Sequence, residues 1–295
     1  MRSPARAFKT DLQELLAYGP ALLAGAVNYQ LYKQREHSSC TTASNVVISL
    51  TSMPARLSKL HNCIWSLLAQ RHRAEKVLLY LARDECRDVD VPDKLKQLQG
   101  AGLEIRYVDI NVRSLNKIYH ALADFPDKTI VTCDDDKLYP PGWLEGLVGA
   151  SLRHEGCIVC NRSREIAIGA DGQIAPYRQW PITKHTNPSL TVLPMGVGGV
   201  LYPPQSLHPE VRDAASYLAL SGTSDDLWLK VMSLRQRTAC LQVASNAAIY
   251  SSIPFWNGEK LSVGNIWHGG NDQNLARLIS HFDLDLNSLV HCDAQ

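Results

Sequence analysis

The sequence predicts an α/β fold with a mostly parallel central sheet flanked by helices on both faces. Two observations support this prediction. From Asn45 onward, short apolar segments of β type alternate with segments whose apolar residues recur at helical spacing, which is the pattern of a parallel sheet with crossover helices. The chain has 295 residues, of which 45% are hydrophobic and 20% charged, a composition typical of a globular domain with a large core.

The first half of the chain shows this alternation most clearly. VVISLT (46–51) is the first predicted strand, and residues 56–70 carry an apolar stripe that predicts a helix. Further strands are predicted at KVLLYLA, LEIRYVD and TIVTC, and further helices over 92–99, 115–123 and 141–154. Pro141 suits the first turn of the last of these helices, because proline needs no backbone N–H there.

The second half of the chain is less regular. Residues 158–173 predict a hairpin, and residues 175–194 predict a long loop rich in proline. VLYPP (200–204) predicts an edge strand, because its prolines cannot donate to a sheet ladder. Two further helices are predicted, over 225–237 and 271–281.

Charge and cysteine content exclude several classes of function. The net charge is +1 without a block of lysine and arginine, so we expect no binding to nucleic acid. The eight cysteines are scattered and the N-terminus lacks a signal-peptide layout, which predicts a reduced cytoplasmic protein. No apolar run reaches the roughly 18 residues of a membrane span. Basic residues flanking the segment 12–32 leave open a peripheral contact with the inner face of a membrane.

The strongest functional signal is the acidic run that follows the strand TIVTC. Asp134, Asp135 and Asp136 stand together at its end, where mutual repulsion calls for a divalent cation or a proton. Alternate residues of an extended segment share one face, so Asp134 and Asp136 can hold one ligand while Asp135 points away. Carboxylate oxygens suit Mg²⁺ or Mn²⁺, which keep open positions for phosphate oxygens. A solvated acidic turn is the alternative.

A second acidic pair, Asp225 and Asp226, stands at the start of a predicted helix in SGTSDDLWLK. Ser224 or Asp225 could cap that helix without any catalytic role. The other interpretation is a general base, which needs hydrogen-bond reach and partial desolvation.

These segments resemble the GT-A-fold glycosyltransferases, in particular the bacterial family-2-like enzymes that build cell-surface polysaccharide. VVISLTSMPARLSKLHNCIWSLLAQ resembles their opening strand and helix, IVTCDDDKLYPPGWL their DxD strand, and SDDLWLK their acidic helix start. The resemblance covers residues 46–278. We therefore expect a catalytic domain over 45–282, preceded by a helical leader over 1–44 and followed by a tail over 283–295. The catalytic domain would comprise a nucleotide-sugar-binding half (45–156) and an acceptor-binding half (157–282).

The resemblance also implies roles for residues near the nucleotide. Thr51, Pro54 and Arg56 follow the first strand, where such enzymes begin to grip the nucleotide. Asp84 follows the second strand and matches a contact to the base. Lys117, in SLNKIYHAL, would approach the diphosphate, although a solvated helix lysine is equally compatible with the pattern.

For the metal and the catalytic base, the resemblance implies the acidic residues. Asp134 would face the donor with Asp135 in support, and Asp136 would bind Mn²⁺ or Mg²⁺ directly, with Asp134 sharing the metal. His268 is a further candidate metal ligand. The base would be Asp226, with Asp225 as the alternative.

The predicted function is therefore a metal-dependent inverting glycosyltransferase of the hexosyltransferase type. It would move a sugar from a nucleotide diphosphate donor, expected to be a UDP-sugar, to a hydroxyl of a glycan or lipid-linked acceptor in polysaccharide biosynthesis. Two alternatives stay open. One is a metal-dependent phosphohydrolase with a strand-end aspartate nucleophile, and the other is a non-catalytic module that binds sugar nucleotides or glycans.

Overall fold

The computed structural model describes residues 42–169, 173–183, 185–222, 224–243, 251–253 and 269–285. The strands are β1 (Thr42–Thr51), β2 (Arg73–Ala82), β3 (Leu103–Val108), β4 (Thr129–Thr132), β5 (Lys137–Leu138), β6 (Ile158–Cys160), β7 (Ser163–Glu165), β8 (Ile182–Thr183), β9 (Val192–Pro194), β10 (Val200–Tyr202), β11 (Cys240–Gln242) and β12 (Ser251–Ser252). The α-helices are α1 (Leu57–Leu68), α2 (Asp93–Lys96), α3 (Asn116–Asp124), α4 (Trp143–Arg153), α5 (Ala214–Leu220), α6 (Asp225–Arg235) and α7 (Gly270–Phe282). The predicted leader over 1–44 lies almost entirely outside the described residues.

A seven-stranded sheet forms the centre, with the strand order β11-β6-β10-β4-β1-β2-β3. Strand β1 pairs in parallel with β2 and β4, and β2 pairs in parallel with β3. Strand β10 runs antiparallel to both β4 and β6, so β6 and β11 have the direction of β4. The predicted fold class, a mostly parallel sheet covered on both faces, is confirmed.

Each face of the sheet has its own apolar core, because successive side chains of a strand point to opposite faces. Val47 belongs to a cluster that includes residues of α3, α6 and α7. Its neighbour Ile48 belongs to a second cluster that includes α1 and α4. Both side chains are fully buried. The two-sided burial explains why the parallel strands are continuous apolar runs in the sequence.

Three predictions for the second half are corrected by the structure. VLYPP does not form an edge strand, because β10 lies inside the sheet between β4 and β6 and its prolines follow the strand end. Residues 158–173 do not form one hairpin, since β6 joins the large sheet and β7 a separate three-stranded sheet. Residues 175–194 are not an open loop, because they contain β8 and β9, which both pair with β7.

No helix among the described residues combines the length and the apolar character that crossing a membrane requires.

The turn before β10 packs closely against the first residue of α4. Trp143 Nε1 donates a hydrogen bond to the Gly198 carbonyl at 2.8 Å. Gly199 has a φ of +85°, and a Cβ atom at this position would lie 2.4 Å from the Trp143 ring. Only glycine combines this backbone conformation with this approach. The contact fixes the turn that precedes β10 against the helix that follows β4.

We expect Gly199→Ala to lower the free energy of unfolding by about 3 kcal/mol or more, because it combines backbone strain with overpacking. Urea unfolding followed by circular dichroism measures the change. The matched control is Gly100→Ala, where no atom lies within 4 Å of the added Cβ and φ is not positive. The control should change stability by less than about 1 kcal/mol. Equal effects of the two substitutions would contradict the assigned role of Gly199.

Candidate functional site

The candidate site lies where the strand order of the sheet reverses direction. From β1 the chain proceeds to β2 and β3 on one side, and β4 then pairs with β1 on its other side. In open α/β sheets, ligands bind in the crevice beyond the carboxyl ends of the strands at such a switch point. Here the crevice lies between the ends of β1 and β4. Residues 52–56 follow the first of these strands, and Asp134, Asp135 and Asp136 follow the second.

Asp135 ties these two strand ends together. Its carboxylate accepts hydrogen bonds from Ser52 Oγ at 2.6 Å and from Arg56 Nη1 at 2.7 Å. The residue is only 5% exposed, and burial raises its pKa although Arg56 and Ser52 act in the opposite direction. Both oxygens are therefore engaged within the protein. Arg56, which is expected to contact the nucleotide, forms an ion pair with Asp135 in this structure.

Asp134 and Asp136 are the carboxylates at this strand end that remain partly exposed, with side-chain exposures of 31% and 30%. The Asp134 backbone N–H donates to Tyr139 Oη at 2.8 Å, which fixes the start of the acidic turn. Asp136 Oδ1 is buried without a hydrogen bond from any described residue, and Lys137 Nζ lies 3.5 Å away. Buried carboxylate oxygens are normally satisfied, so this oxygen suits a cation.

These two aspartates fit a Mg²⁺ or Mn²⁺ ion. Magnesium is commonly held by one or two carboxylates together with substrate phosphates and waters, rather than by a complete protein cage. Among the described residues no three histidine, cysteine, aspartate or glutamate side chains converge as a metal-binding group. His268, the further candidate ligand, lies outside the described residues.

Lys117 is the buried centre of the site. It is the second residue of α3, and its carbonyl accepts a hydrogen bond from Ser49 Oγ of β1. Lys117 Nζ lies 3.1 Å from Asp134 Oδ1 and 3.0 Å from Asp225 Oδ2. Burial favours the neutral amine, but the carboxylates of Asp225, Asp134 and Asp226 outweigh that effect and raise the pKa of Lys117 well above its usual value. The ammonium therefore stays charged and joins α3, β4 and α6.

Asp225 and Asp226 occupy the first turn of α6, where negative charge also complements the helix dipole. Ser224 stands at the N-cap position but makes no side-chain capping bond. Asp225 contacts Lys117, while Asp226 Oδ1 accepts a hydrogen bond from the Gly196 backbone N–H at 3.0 Å. Burial and the adjacent Asp225 carboxylate raise the pKa of Asp226 to about 7. Asp226 can therefore exchange a proton near neutral pH.

Gly196 closes the site from the turn between β9 and β10. A Cβ atom on this residue would lie 3.1 Å from Asp226 Oδ1 and 3.3 Å from Lys117 Nζ. Such contacts are tighter than ordinary van der Waals distances, so the glycine lets the backbone approach both charged groups. Nothing in the sequence around Gly196 indicates that it would contact Asp226 and Lys117.

The other predicted nucleotide-binding residues lie along the same edge of the sheet. Thr51 Oγ1 donates to the Tyr80 carbonyl at 2.8 Å and so ties β1 to β2. Pro54 begins a turn of 3-10 helix before α1. Asp84, just beyond β2, accepts hydrogen bonds from Asn111 Nδ2 at 3.1 and 3.2 Å. No contact among the described residues joins Asp84 to the cluster around Lys117.

Two aromatic residues of the segment 175–194 belong to the core. Tyr177 and Trp180 are 3% and 1% exposed. Trp180 Nε1 donates to the Ala175 carbonyl at 2.7 Å. The aromatic character of this segment therefore reflects packing of the smaller sheet.

Comparisons with known proteins concern the fold. Neither a protein-family model nor a curated protein sequence matches this chain. Among solved structures, the chain is similar to 2-C-methyl-D-erythritol 4-phosphate cytidylyltransferase from Thermus thermophilus, with 13% identity, a TM-score of 0.40, and coverage of 76% of this chain and 98% of that one. It is also similar to 4-diphosphocytidyl-2C-methyl-D-erythritol synthase from Anaerococcus prevotii, with 14% identity, a TM-score of 0.42, and coverage of 76% of this chain and 98% of that one. A third similar structure is HddC from Yersinia pseudotuberculosis, with 11% identity, a TM-score of 0.35, and coverage of 57% of this chain and 78% of that one.

These comparisons correct the predicted family and activity. The first two structures are named for cytidylyl transfer or its product, and none of the three is named for glycosyl transfer. The predicted hexosyltransferase of polysaccharide biosynthesis is therefore wrong, and its two alternatives are not retained. The coarser part of the resemblance, an α/β fold with a mostly parallel central sheet, stands.

The predicted binding partners change together with the predicted activity. The comparisons do not support a glycan or lipid-linked acceptor, and the basic segment expected at a membrane surface lies outside the described residues.

We expect Lys117→Met to lower the free energy of unfolding by about 3–5 kcal/mol at neutral pH, because it leaves buried carboxylates without their cation. The loss should shrink at acidic pH, where those carboxylates become neutral. Urea unfolding at several pH values measures both effects. The control is Lys76→Met, which breaks a pair with Glu104 whose side chains are 40% and 35% exposed and should cost less than about 1 kcal/mol. A pH-independent loss in Lys117→Met would contradict this interpretation.

The raised pKa of Asp226 predicts a pH-dependent stability of a definite sign. The folded protein holds a proton on this group up to about pH 7, whereas an unfolded aspartate loses it near pH 4. The stability of the wild type relative to Asp226→Asn should therefore fall as pH rises through this window and level off above it.

Asp213→Asn provides a control of opposite sign for this measurement. Hydrogen bonds from Ser216 lower the pKa of Asp213, so its contribution is present above the unfolded pKa and is lost as pH falls. Parallel unfolding curves for wild type and Asp226→Asn across the whole range would show that Asp226 titrates normally.

Proposed function

We propose that this chain is a metal-dependent nucleotidyltransferase that binds a nucleoside triphosphate at the crevice between β1 and β4. The observation that carries the proposal is the buried Lys117 ammonium, held 3.1 Å from Asp134 and 3.0 Å from Asp225 at the switch point of the sheet. A buried charge cluster of this kind is costly for stability. A functional role is the simplest reason for placing it where α/β sheets bind ligands.

The charge of the cluster favours a nucleotide complexed with a metal over a free nucleotide. Asp134, Asp225 and Asp226 surround a single ammonium group, and Asp136 adds a further carboxylate at the same strand end. Bare triphosphate would be repelled by this excess of negative charge. Asp134 and Asp136 would hold Mg²⁺ or Mn²⁺, which supplies charge neutralisation on the phosphate oxygens when bound.

The reaction supported is a displacement at the α-phosphorus of the nucleotide. An oxygen of the second substrate forms a bond to that phosphorus, the bond to the β-phosphate oxygen breaks, and pyrophosphate leaves. Lys117 fixes the carboxylate of Asp134 and keeps positive charge beside it. Asp226, with its pKa raised to about 7, can take the proton of an attacking hydroxyl or phosphate group. If that substrate is a sugar phosphate, the nucleotide sugar expected as donor becomes the product.

We expect the wild type to bind nucleoside triphosphates only when Mg²⁺ or Mn²⁺ is present, as measured by titration with a panel of the four triphosphates. Asp136→Asn should weaken metal-dependent binding by about 10–100-fold, and pyrophosphate release in the presence of sugar phosphates should fall in parallel. Asp93→Asn is the matched control, since Asp93 lies in α2 away from the crevice. Tight triphosphate binding in excess chelator would contradict the metal role, and absence of binding by the wild type would refute the proposed function.

A further inference from the structure

Arg162 is an exposed arginine at the same edge of the sheet as the aspartate cluster. Val200 of β10 pairs with Thr132 of β4 and with Cys160 of β6, so these two strands end at the same level. Arg162 lies two residues beyond the end of β6, as Asp134 lies two residues beyond the end of β4. Two inter-strand spacings separate them, which is about 10 Å between backbones.

The backbone around Arg162 is fixed to the turn that contacts Asp226. The Arg162 carbonyl accepts a hydrogen bond from the Met195 N–H at 2.8 Å, and the Asn161 N–H donates to the Gly199 carbonyl at 3.2 Å. A Cβ atom on Gly198 would lie 3.0 Å from Arg162 Cβ, so the two segments touch. The turn between them carries Gly196, whose N–H holds Asp226. Arg162 is therefore held at a fixed position relative to the proposed base.

The charge of Arg162 is not used within the described part of the chain. Arg56 pairs with Asp135, Lys117 with Asp134, and Lys137 with Asp136. Arg162 has no ion pair or hydrogen bond from its side chain among the described residues. The nearby Arg164, in β7, donates to the Trp180 carbonyl at 2.6 Å and lies over the Tyr177 ring. Arg164 thus has a structural role, while Arg162 remains available.

We propose that Arg162 binds the phosphate group of the second substrate, an inference that rests on the proposed nucleotidyl transfer. A guanidinium group matches phosphate geometry with two parallel hydrogen bonds. The separation of about 10 Å from the backbone of Asp134 leaves room for a phosphorylated substrate whose attacking oxygen faces the metal-bound nucleotide. The alternative role is a solvated arginine that merely offsets the acidic edge, and such an arginine would bind no ligand.

The test compares wild type, Arg162→Gln and the matched control Arg153→Gln. Arg153 is also exposed but ends α4, which leads back to the start of β6 at the opposite edge of the sheet. Inorganic phosphate, titrated by calorimetry at low ionic strength without nucleotide or metal, is the probe of the anion site. A second titration measures triphosphate binding with Mg²⁺.

We expect wild type and Arg153→Gln to bind phosphate equally, and Arg162→Gln to bind it about tenfold or more weakly, since a hydrogen bond to a charged group is lost. Triphosphate binding should be unchanged in both variants. Absence of phosphate binding by the wild type, equal binding by Arg162→Gln, or an equal loss of triphosphate affinity would each overturn the proposal. Phosphate binding through Arg162 in a protein that binds no triphosphate would instead overturn nucleotidyl transfer.

Discussion

The arrangement of this site depends on one buried ammonium group among carboxylates. Lys117 is reached from three directions, by Asp134 beyond β4, by Asp225 at the start of α6, and by the turn that contains Gly196. Each of these groups would be unfavourable at its position without the others, because buried charge requires a partner. The ammonium therefore sets the relative positions of α3, α6 and the acidic strand end. Ser49 anchors its backbone to the central strand, which makes the sheet itself the support of the cluster.

The three consecutive aspartates have become chemically different through their surroundings. Asp135 is neutralised by Arg56 and held by Ser52, Asp134 is shared with Lys117, and Asp136 keeps a buried oxygen without a hydrogen bond from the described residues. Both oxygens of Asp135 are engaged by protein groups, whereas Asp136 keeps an oxygen that can attract a metal, with Asp134 beside it. The division of roles thus follows from neighbours distant in sequence.

Local pattern was sufficient for the first half of the fold and insufficient for the second. Strands β1 to β4 and their helices are predicted by periodicity, because both faces of those strands are buried and the apolar runs are long. The interior position of β10 is not visible in its three residues, since strand order depends on distant pairing. The acidic residues could be found from their position at a strand end, but Gly196 and the partner of Asp135 depend on contacts between segments. The activity inferred from the motifs was wrong, because acidic strand ends recur on related folds with different reactions.

The double pairing of β10 also has a consequence for synthesis of the chain on the ribosome. Residues 129–132 acquire their second neighbour only when Val200–Tyr202 has emerged, and Lys117 meets Asp225 later still. Until then the growing polypeptide presents the open edge of β4, which is followed by three consecutive aspartates. Like charges near such an edge discourage pairing with other chains. The aspartates that follow β4 would thus protect the nascent protein from aggregation before it can perform any chemistry.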